Sequence, residues 1–147
     1  MTIRLANERD IPFVRDCASA AYGMYVERMG RKPAPMVADF TGILAARNLH
    51  VLETEHGLAG FIVFYPRDDH VHIENVAVDP AFQGKGYGAR LIEFAEGKAR
   101  EQGFSRAELY TNEKMTENIA YYPKLGYAEI GRWEEDGFNR VFYRKEL

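Results

Sequence analysis

The chain has 147 residues, 46% of them hydrophobic and 28% charged, which is ordinary for a globular protein of one domain. The chain has 19 Lys and Arg residues against 22 Asp and Glu residues. Because basic residues are not in excess, the charge does not indicate a nucleic acid or an anionic membrane as partner. The single cysteine, Cys17, excludes an internal disulfide and a cysteine-based zinc cluster. No segment has the pattern of a signal peptide or of a membrane span. The composition therefore predicts one cytoplasmic domain over residues 1–147.

The first third of the chain predicts one strand and two helices. Apolar positions recur every three or four residues after Asn7, which can cap a helix. Pro33 and Pro35 interrupt any later helix, so the stretch around them is predicted to be a loop. In order, the predictions are a strand over 2–6, a helix over about 8–22, a loop over 23–35 and a helix over about 36–47.

The rest of the chain alternates strands and helices. The helix after the glycine-rich stretch is predicted to turn Leu91, Ile92, Ala95 and Ala99 inward and Glu93, Glu96, Lys98 and Arg100 outward. The strand that follows it should lie parallel to the central strand, because a helical crossover joins the two. Thr116 can cap the last helix. The predicted strands cover 49–55, 58–65, 71–78, 106–111, 127–133 and 138–144, and the last helix covers 116–125.

The most informative stretch is VHIENVAVDPAFQGKGYGARLIEF, residues 71–94. Its β-branched residues predict a buried strand that Asp79-Pro80 ends, because proline donates no backbone hydrogen bond. QGKGYG then places three glycines where a helix begins. Glycine permits a close approach of the backbone to a ligand, and the first amides of a helix lack internal partners. The stretch therefore predicts a pyrophosphate site, to which Lys85 adds a positive charge.

Four interpretations of this loop compete. A P-loop is excluded, because Gly86 rather than Ser or Thr follows Lys85. The dinucleotide pattern G-x-G-x-x-A matches from Gly84 to Ala89, but the remaining chain is too short for a second mononucleotide-binding half. A tight turn without any ligand is the third interpretation. The fourth is the pattern Q-x-x-G-x-G, which starts at Gln83 and follows VAVDP.

This fourth pattern resembles the acyl-CoA pyrophosphate loop of the GNAT superfamily of N-acetyltransferases. A second segment, NIAYYPKLGY, resembles the family's Y-x-x-x-G-[FY] motif beginning at Tyr122. The order of predicted elements is also that of the family, so the resemblance covers essentially the whole chain. It implies an α/β fold in which about four helices flank a mixed, mostly antiparallel sheet with splayed central strands.

The resemblance implies transfer of an acetyl group from acetyl-CoA to a primary amine, by direct attack in a ternary complex. Tyr122 would protonate the departing thiolate, since a phenol and a thiol of similar basicity exchange a proton easily. Met115 stands where the family often has Asn, and Asn112 and Asn118 are the nearby candidates to replace it. The implied cofactor-binding residues are Val76, Ala77, Val78, Gln83, Gly84, Lys85, Gly86, Tyr87, Gly88, Ala89, Asn118 and Tyr121.

Glu74 is the candidate general base, because it lies inside the apolar central strand and many family members carry a glutamate there. Strand alternation would place Glu74, Val76 and Val78 on one face. His70 and His72 are rivals with a suitable pKa, although strand-end or surface positions suit them better. Two histidines at this spacing could also bind a metal. No third ligand follows at a recognisable spacing, so no metal is expected.

The acceptor cleft of the family is built from the first two helices and the last strands. A non-catalytic acyl-CoA sensor is the alternative function, and a nicotinamide-dependent oxidoreductase is a third. The expected partners are acetyl-CoA and an amine, with neither nucleic acid nor membrane. Dimerisation through the late strands is common in the family, so the resemblance allows a homodimer. The candidate acceptor contacts are Tyr22, Tyr25, Arg28, Arg31, Lys32, Trp133 and Arg140.

Overall fold

A computed structural model describes residues 1–147, which form five α-helices and seven strands. The strands are β1 (Thr2–Leu5), β2 (Leu49–Thr54), β3 (Gly57–Pro66), β4 (Val71–Val78), β5 (Arg106–Asn112), β6 (Ala128–Glu135) and β7 (Phe138–Glu146). The helices are α1 (Ile11–Tyr22), α2 (Tyr25–Met29), α3 (Phe40–Ala45), α4 (Tyr87–Glu101) and α5 (Thr116–Tyr121). No helix combines the length and the apolar character needed to cross a membrane.

The strands form one mixed sheet in the order β1-β2-β3-β4-β5-β7-β6, so the predicted fold class is confirmed. The pairs β1–β2, β2–β3, β5–β7 and β6–β7 are antiparallel. The pair β4–β5 is parallel, as the helical crossover predicts. This parallel ladder comprises three residue pairs, from Val71↔Ala107 to Ile73↔Leu109, whereas β4 continues to Val78.

The residues group into two compact units, each with its own buried apolar residues. Unit 1 comprises Met1–Phe64 and Asn75–Phe94, and unit 2 comprises Tyr65–Glu74 and Ala95–Leu147. The prediction of a single domain stays a prediction. Fully buried residues of unit 1 include Val14, Cys17, Leu49, Val51, Phe61, Ile62 and Leu91, and those of unit 2 include Ala95, Ala99, Ala107, Tyr127 and Val141.

Two predictions about the first third of the chain are wrong in detail. The predicted loop contains helix α2, which Gly30 ends with a left-handed φ of 73°. The predicted helix over 36–47 is instead a 3-10 turn at Ala34–Val37 followed by the shorter α3. Asp39 explains the division, because its side chain accepts a hydrogen bond from the Gly42 amide and so starts α3 later.

The segment that follows β5 also differs from its prediction. The helix predicted over 116–125 divides into α5 and a 3-10 turn at Tyr122–Leu125, as expected where proline removes a backbone donor. Thr116 is not the cap: Met115 holds that position, and the Thr116 hydroxyl donates to Glu117 instead.

Helix α4 buries the four apolar residues predicted to face inward. Glu96 was predicted to point outward and is instead 3% exposed. Its carboxylate accepts a hydrogen bond of 2.7 Å from the Tyr127 hydroxyl and pairs with the Lys145 ammonium at 3.1 Å. Burial of this carboxylate therefore depends on two donors from the end of the chain.

Candidate active site

The glycine-rich loop has the geometry expected of an anion site. Gly84 and Gly86 have left-handed φ values of 81° and 80°, and no atom lies within 4 Å of where a Cβ would stand on either residue. Helix α4 begins directly afterwards, at Tyr87. The loop thus leaves open space beside a helix N-terminus whose first amides have no partner within the helix. Lys85, an exposed residue of the same loop, supplies a positive charge.

Strand β4 turns alternate backbone groups toward opposite edges. The Asp79 amide donates to Ala59 of β3 at 2.8 Å, and a Cβ on Gly60 would meet the Ala77 carbonyl oxygen at 2.5 Å. Ala77 and Asp79 therefore face β3, and strand geometry directs the N–H and C=O groups of Val76 and Val78 away from it. The resemblance assigns Val76, Ala77 and Val78 to the pantetheine arm. Only Val76 and Val78 turn their backbone groups to that edge, because those of Ala77 face β3.

Two side chains reach the carbonyl groups on that outer edge. The Tyr22 hydroxyl donates to the Val76 carbonyl at 2.8 Å, and Gln83 Nε2 donates to the Val78 carbonyl at 3.1 Å. The Tyr22 hydroxyl also lies 3.0 Å from Oδ1 of Asn75, whose Nδ2 is buried without a partner. If the side-chain amide of Asn75 is rotated by about 180°, its NH2 group donates to the Tyr22 hydroxyl. That hydroxyl then donates to the Val76 carbonyl, and both groups have a partner.

Glu74 belongs to unit 2 and is half-buried. From Glu74 to Val78 the even-numbered residues of β4 are half-buried and the odd-numbered ones buried, which confirms the predicted shared face. One Glu74 carboxylate oxygen accepts a hydrogen bond of 3.1 Å from the Tyr65 hydroxyl. Arg67 donates to the same hydroxyl, also at 3.1 Å. A carboxylate and a guanidinium are thus joined through one neutral group.

His72 was predicted to be a strand-end or surface residue. It is the second residue of β4 and so lies at a strand end, but it is buried, with 5% exposure. Its ring lies 5.5 Å from those of both Tyr65 and Tyr110, and its Nε2 is buried without a partner. Burial, together with the nearby Arg67 and Arg140 guanidinium groups, lowers the pKa of His72 to about 3. A neutral imidazole of such low basicity is a poor general base at neutral pH.

The other rival, His70, is half-buried, and its Nδ1 lies 2.7 Å from Asp69 and 3.6 Å from Glu108. These three residues could supply metal ligands, since their donor atoms lie within 4.8 Å of one another. However, Arg106 and Arg144 each pair with one of the two carboxylates, at 3.3 and 3.1 Å. These guanidinium groups already balance the negative charge that a metal cation would need. The ion pairs therefore explain why the three side chains lie together.

Tyr122 begins the 3-10 turn after α5 and is 7% exposed. Its ring lies 6.3 Å from that of Tyr127 and 5.9 Å from that of Tyr143. Such packing holds the ring in a defined position. The neighbouring Tyr121 is 36% exposed.

The position at which the family often has Asn is buried, since Met115 is 4% exposed. Asn118 Nδ2 donates to the Thr111 hydroxyl at 3.2 Å and lies 3.6 Å from the Met115 sulfur. The amide of Asn118 is thus held beside the end of β5, while Asn112 accepts from the Lys114 backbone amide. Of the two asparagines, Asn118 keeps its carbonyl oxygen uncommitted.

Several candidate acceptor contacts have structural partners. Arg140 is 5% exposed, pairs with Glu135 and Asp136, and lies with its guanidinium 4.3 Å from the centre of the Tyr110 ring. Trp133 is 48% exposed and stacks on Phe142 at 3.7 Å. Arg140, a candidate acceptor contact from the sequence, is therefore a buried cation that already has two carboxylate partners.

The sequence model of the acetyltransferase (GNAT) family matches residues 13–127. The chain belongs to this family. The match includes both the glycine-rich loop and the Tyr122 segment, so the resemblance predicted from two motifs is confirmed. The dinucleotide-binding interpretation is not supported, because the family is defined by acetyl transfer.

Similar proteins are named as acetyltransferases. Blasticidin-S acetyltransferase of Streptomyces morookaense is 33% identical in an alignment of 103 residues that covers 66% of this chain and 74% of that protein. Probable N-acetyltransferase 14 of Xenopus tropicalis is 28% identical over 93 residues, and the match spans 61% of this GNAT chain but only 45% of the frog protein. The chain thus covers less than half of that relative.

A solved structure supports the fold. The PaiA N-acetyltransferase of Thermoplasma acidophilum, in complex with coenzyme A, superposes with a TM-score of 0.80 at 15% identity. The match covers 99% of this chain and 98% of that protein. The fold of this GNAT chain is therefore one that holds coenzyme A in another protein.

Sequence reasoning missed Tyr65 and Arg67, and it gave Tyr22 a different role. The predicted strands over 58–65 and 71–78 were the available signal, since they imply a hairpin. In the structure the Arg67 amide donates to the His70 carbonyl and closes its tight turn. That register places Tyr65 beside His72, on the face that also carries Glu74. The contact between Tyr22 and Val76 had no sequence signal, since 54 residues separate them.

Proposed function

We propose that this protein is an N-acetyltransferase that uses acetyl-CoA as the acetyl donor and a primary amine as the acceptor. The observation that carries the proposal is the outer edge of β4, where Val76 and Val78 present backbone groups just before the glycine-rich loop. A GNAT-family chain with this arrangement can bind one extended ligand by its amides and its pyrophosphate. We also propose a cytoplasmic location.

The residues present fit acetyl-CoA. Val76 and Val78 would pair with the pantetheine arm through their backbone groups, whereas Ala77 between them faces β3. An amide on the outer edge of β4 would donate to the thioester oxygen as it becomes negative. Asn118 and Tyr121 would complete the contacts, with Asn118 replacing the family asparagine. The pyrophosphate would lie against residues of the glycine-rich loop and the first turn of α4: Gln83, Gly84, Lys85, Gly86, Tyr87, Gly88 and Ala89.

The reaction requires a neutral amine, because an ammonium ion has no lone pair. A simple primary amine has a pKa near 10, so a base must remove a proton at neutral pH. Glu74 is proposed to accept it, directly or through a water molecule. The nitrogen then forms a C–N bond to the acetyl carbon as the C–S bond breaks. Tyr122 gives the departing sulfur a proton, and the second proton that the nitrogen loses on becoming an amide restores the phenol. The products are the N-acetyl amine and free coenzyme A.

The first experiment is a calorimetric titration with acetyl-CoA, followed by a thiol-release assay over amino acids, polyamines, aminoglycosides and lysine peptides. Binding together with amine-dependent thiol release would support the proposal. Binding without release for any amine would favour the acyl-CoA sensor, and absence of binding would contradict both.

Two variants test the assigned roles. Tyr122→Phe should lower kcat by roughly tenfold or more while leaving the Kd for acetyl-CoA nearly unchanged, because it removes only the proton donor. Glu74→Gln should lower kcat at pH 7 and regain activity at higher pH, where free amine is plentiful. Glu93→Gln, on the exposed face of α4, is the matched control.

A further inference from the structure

In unit 2 the carboxylate of Glu74 and the guanidinium of Arg67 lie close together without forming an ion pair. Each makes a 3.1 Å hydrogen bond to the Tyr65 hydroxyl, so the two groups lie within about 6 Å of each other. The Arg67 guanidinium also lies 5.6 Å from the centre of the Tyr65 ring. The phenol of Tyr65 thus acts as a neutral spacer between opposite charges.

Both charged groups keep unused hydrogen-bonding capacity. A guanidinium carries five N–H donors, and Arg67 uses one nitrogen on Tyr65. A carboxylate has two oxygens, and Glu74 uses one. Arg67 is exposed and Glu74 half-buried, so a ligand can reach them.

Other arginines of unit 2 already have carboxylate partners. Arg140 pairs with Glu135 and Asp136, Arg144 with Glu108, and Arg106 with Asp69. Arg67 has no such partner, although Glu74 is near. Its charge is therefore available to an anion from outside the chain.

The groups around this pair are aromatic rings, together with the Glu135–Arg140 ion pair, whose Glu135 carboxylate acts electrostatically on Arg67. The Tyr65 ring lies 5.5 Å from that of His72, whose buried Nε2 has no partner in the protein. Burial is the main cause that raises the pKa of Tyr65, so its hydroxyl stays protonated at neutral pH and remains a neutral spacer. The cluster therefore offers one negative site, one positive site and a weakly polar wall.

We propose that the acceptor is a small amine carrying a carboxylate or phosphate close to its nitrogen, with Glu74 binding the nitrogen and Arg67 the anionic group. An α-amino acid, whose two charged groups share one carbon, is the most compact acceptor of this kind. Arg67 is thus a specificity-determining residue and Tyr65 a positioning residue. This inference rests on the proposed function, because it assigns the acceptor of the same reaction.

The test compares acceptors that differ only in the anionic group. Each amino acid is paired with its carboxamide, and phosphoethanolamine is paired with ethanolamine. We expect kcat/KM for the anionic member to exceed that of its neutral partner by on the order of tenfold or more, the effect of one charge-assisted hydrogen-bonded contact. The two kinds of pair distinguish a carboxylate from a phosphate.

Arg67→Gln should abolish this preference, and Arg67→Lys should keep part of it. Arg132→Gln is the matched control, because it removes another exposed guanidinium of unit 2 that pairs only with Glu129. Tyr65→Phe should also reduce the preference, since without the spacer Arg67 and Glu74 can pair directly. Equal or better turnover of the neutral amines by the unmodified protein would overturn the proposal. A preference that survives Arg67→Gln would do the same.

Calorimetry with coenzyme A present separates this inference from the proposed function. Suppose that no amine is acetylated. The anion site would still be supported if the anionic members bind more tightly than their neutral partners and Arg67→Gln abolishes this difference. If amines are acetylated without regard to an anionic group, the acetyltransferase proposal stands and this inference fails. Equal binding of both members, without turnover, would also overturn the inference.

Discussion

The Tyr22 hydroxyl at the end of α1 donates a 2.8 Å hydrogen bond to the Val76 carbonyl of β4. Val76 belongs to the strand segment that leads into the glycine-rich loop. A helix thus fixes a carbonyl group on the strand edge proposed to receive pantetheine. Asn75, beside it, is buried and shares the same hydroxyl.

Tyr22→Phe should weaken acetyl-CoA binding without removing any group proposed to touch it. Loss of a buried hydrogen bond should lower the free energy of unfolding by about 1 kcal/mol and loosen the edge at Val76. Urea unfolding measures the first effect and calorimetry the second. Tyr143→Phe removes the hydroxyl of another buried tyrosine and should leave the Kd for acetyl-CoA unchanged. Equal affinity in Tyr22→Phe and the unmodified protein would contradict the positioning role.

Gly60→Ala should displace the same strand from its other side. The new methyl group would stand 2.5 Å from the Ala77 carbonyl oxygen, so β3 and β4 must move apart. We expect a loss of roughly 1–3 kcal/mol in unfolding free energy, the usual cost of overpacking, and weaker binding of acetyl-CoA.

Gly97→Ala is the control for that substitution, since no atom lies within 4 Å of where its Cβ would stand. Because Gly97 lies inside α4, alanine should raise the unfolding free energy by roughly 0.5–1 kcal/mol. If both substitutions had the same effect, the close contact between Gly60 and Ala77 would not be the cause.

Glu96→Ala should be among the most destabilising single changes in unit 2. It would leave the buried hydroxyl of Tyr127 and the ammonium of Lys145 without their shared acceptor, at a cost of roughly 3–5 kcal/mol. Thermal unfolding followed by circular dichroism measures the effect. Glu93→Ala, on the exposed face of the same helix, should change the free energy by less than about 0.5 kcal/mol. An equally small effect of Glu96→Ala would show that the contacts of Glu96 with Tyr127 and Lys145 contribute little to the free energy of unfolding.

His72 should make the protein less stable in mild acid. The folded protein holds the pKa of His72 at about 3, whereas the ordinary value is 6.5. Below pH 6.5 the unfolded chain therefore takes up a proton that the folded protein excludes, so the free energy of unfolding falls as the pH drops toward 3.

Between pH 7 and pH 5 this effect should amount to about 2 kcal/mol, and His72→Phe should remove it. Urea unfolding at the two pH values provides the comparison. His56→Asn, in the exposed turn before β3, should keep the full dependence. An unchanged slope in His72→Phe would assign the acid sensitivity to another group.

Local sequence patterns predicted the path from β4 to α4 correctly, because each signal there lies within a few residues. Proline ends the strand, glycine permits the turn and apolar spacing fixes the buried face of α4. The same patterns misassigned Glu96. A carboxylate among charged neighbours predicts a solvent-exposed face. Glu96 is buried instead, because Tyr127 and Lys145, 31 and 49 residues later, supply hydrogen-bond donors to its carboxylate.

The sequence by itself determined the family, the glycine-rich loop and the candidates Glu74 and Tyr122, because motifs are local and retain their order along the chain. Tertiary structure alone decided which groups meet these candidates. Arg67 and Glu74 share the Tyr65 hydroxyl because a hairpin folds β3 onto β4, and Tyr22 reaches Val76 because α1 packs beside that strand. Hydrogen bonds act over about 3 Å in space regardless of separation in sequence, so only folding reveals such partners.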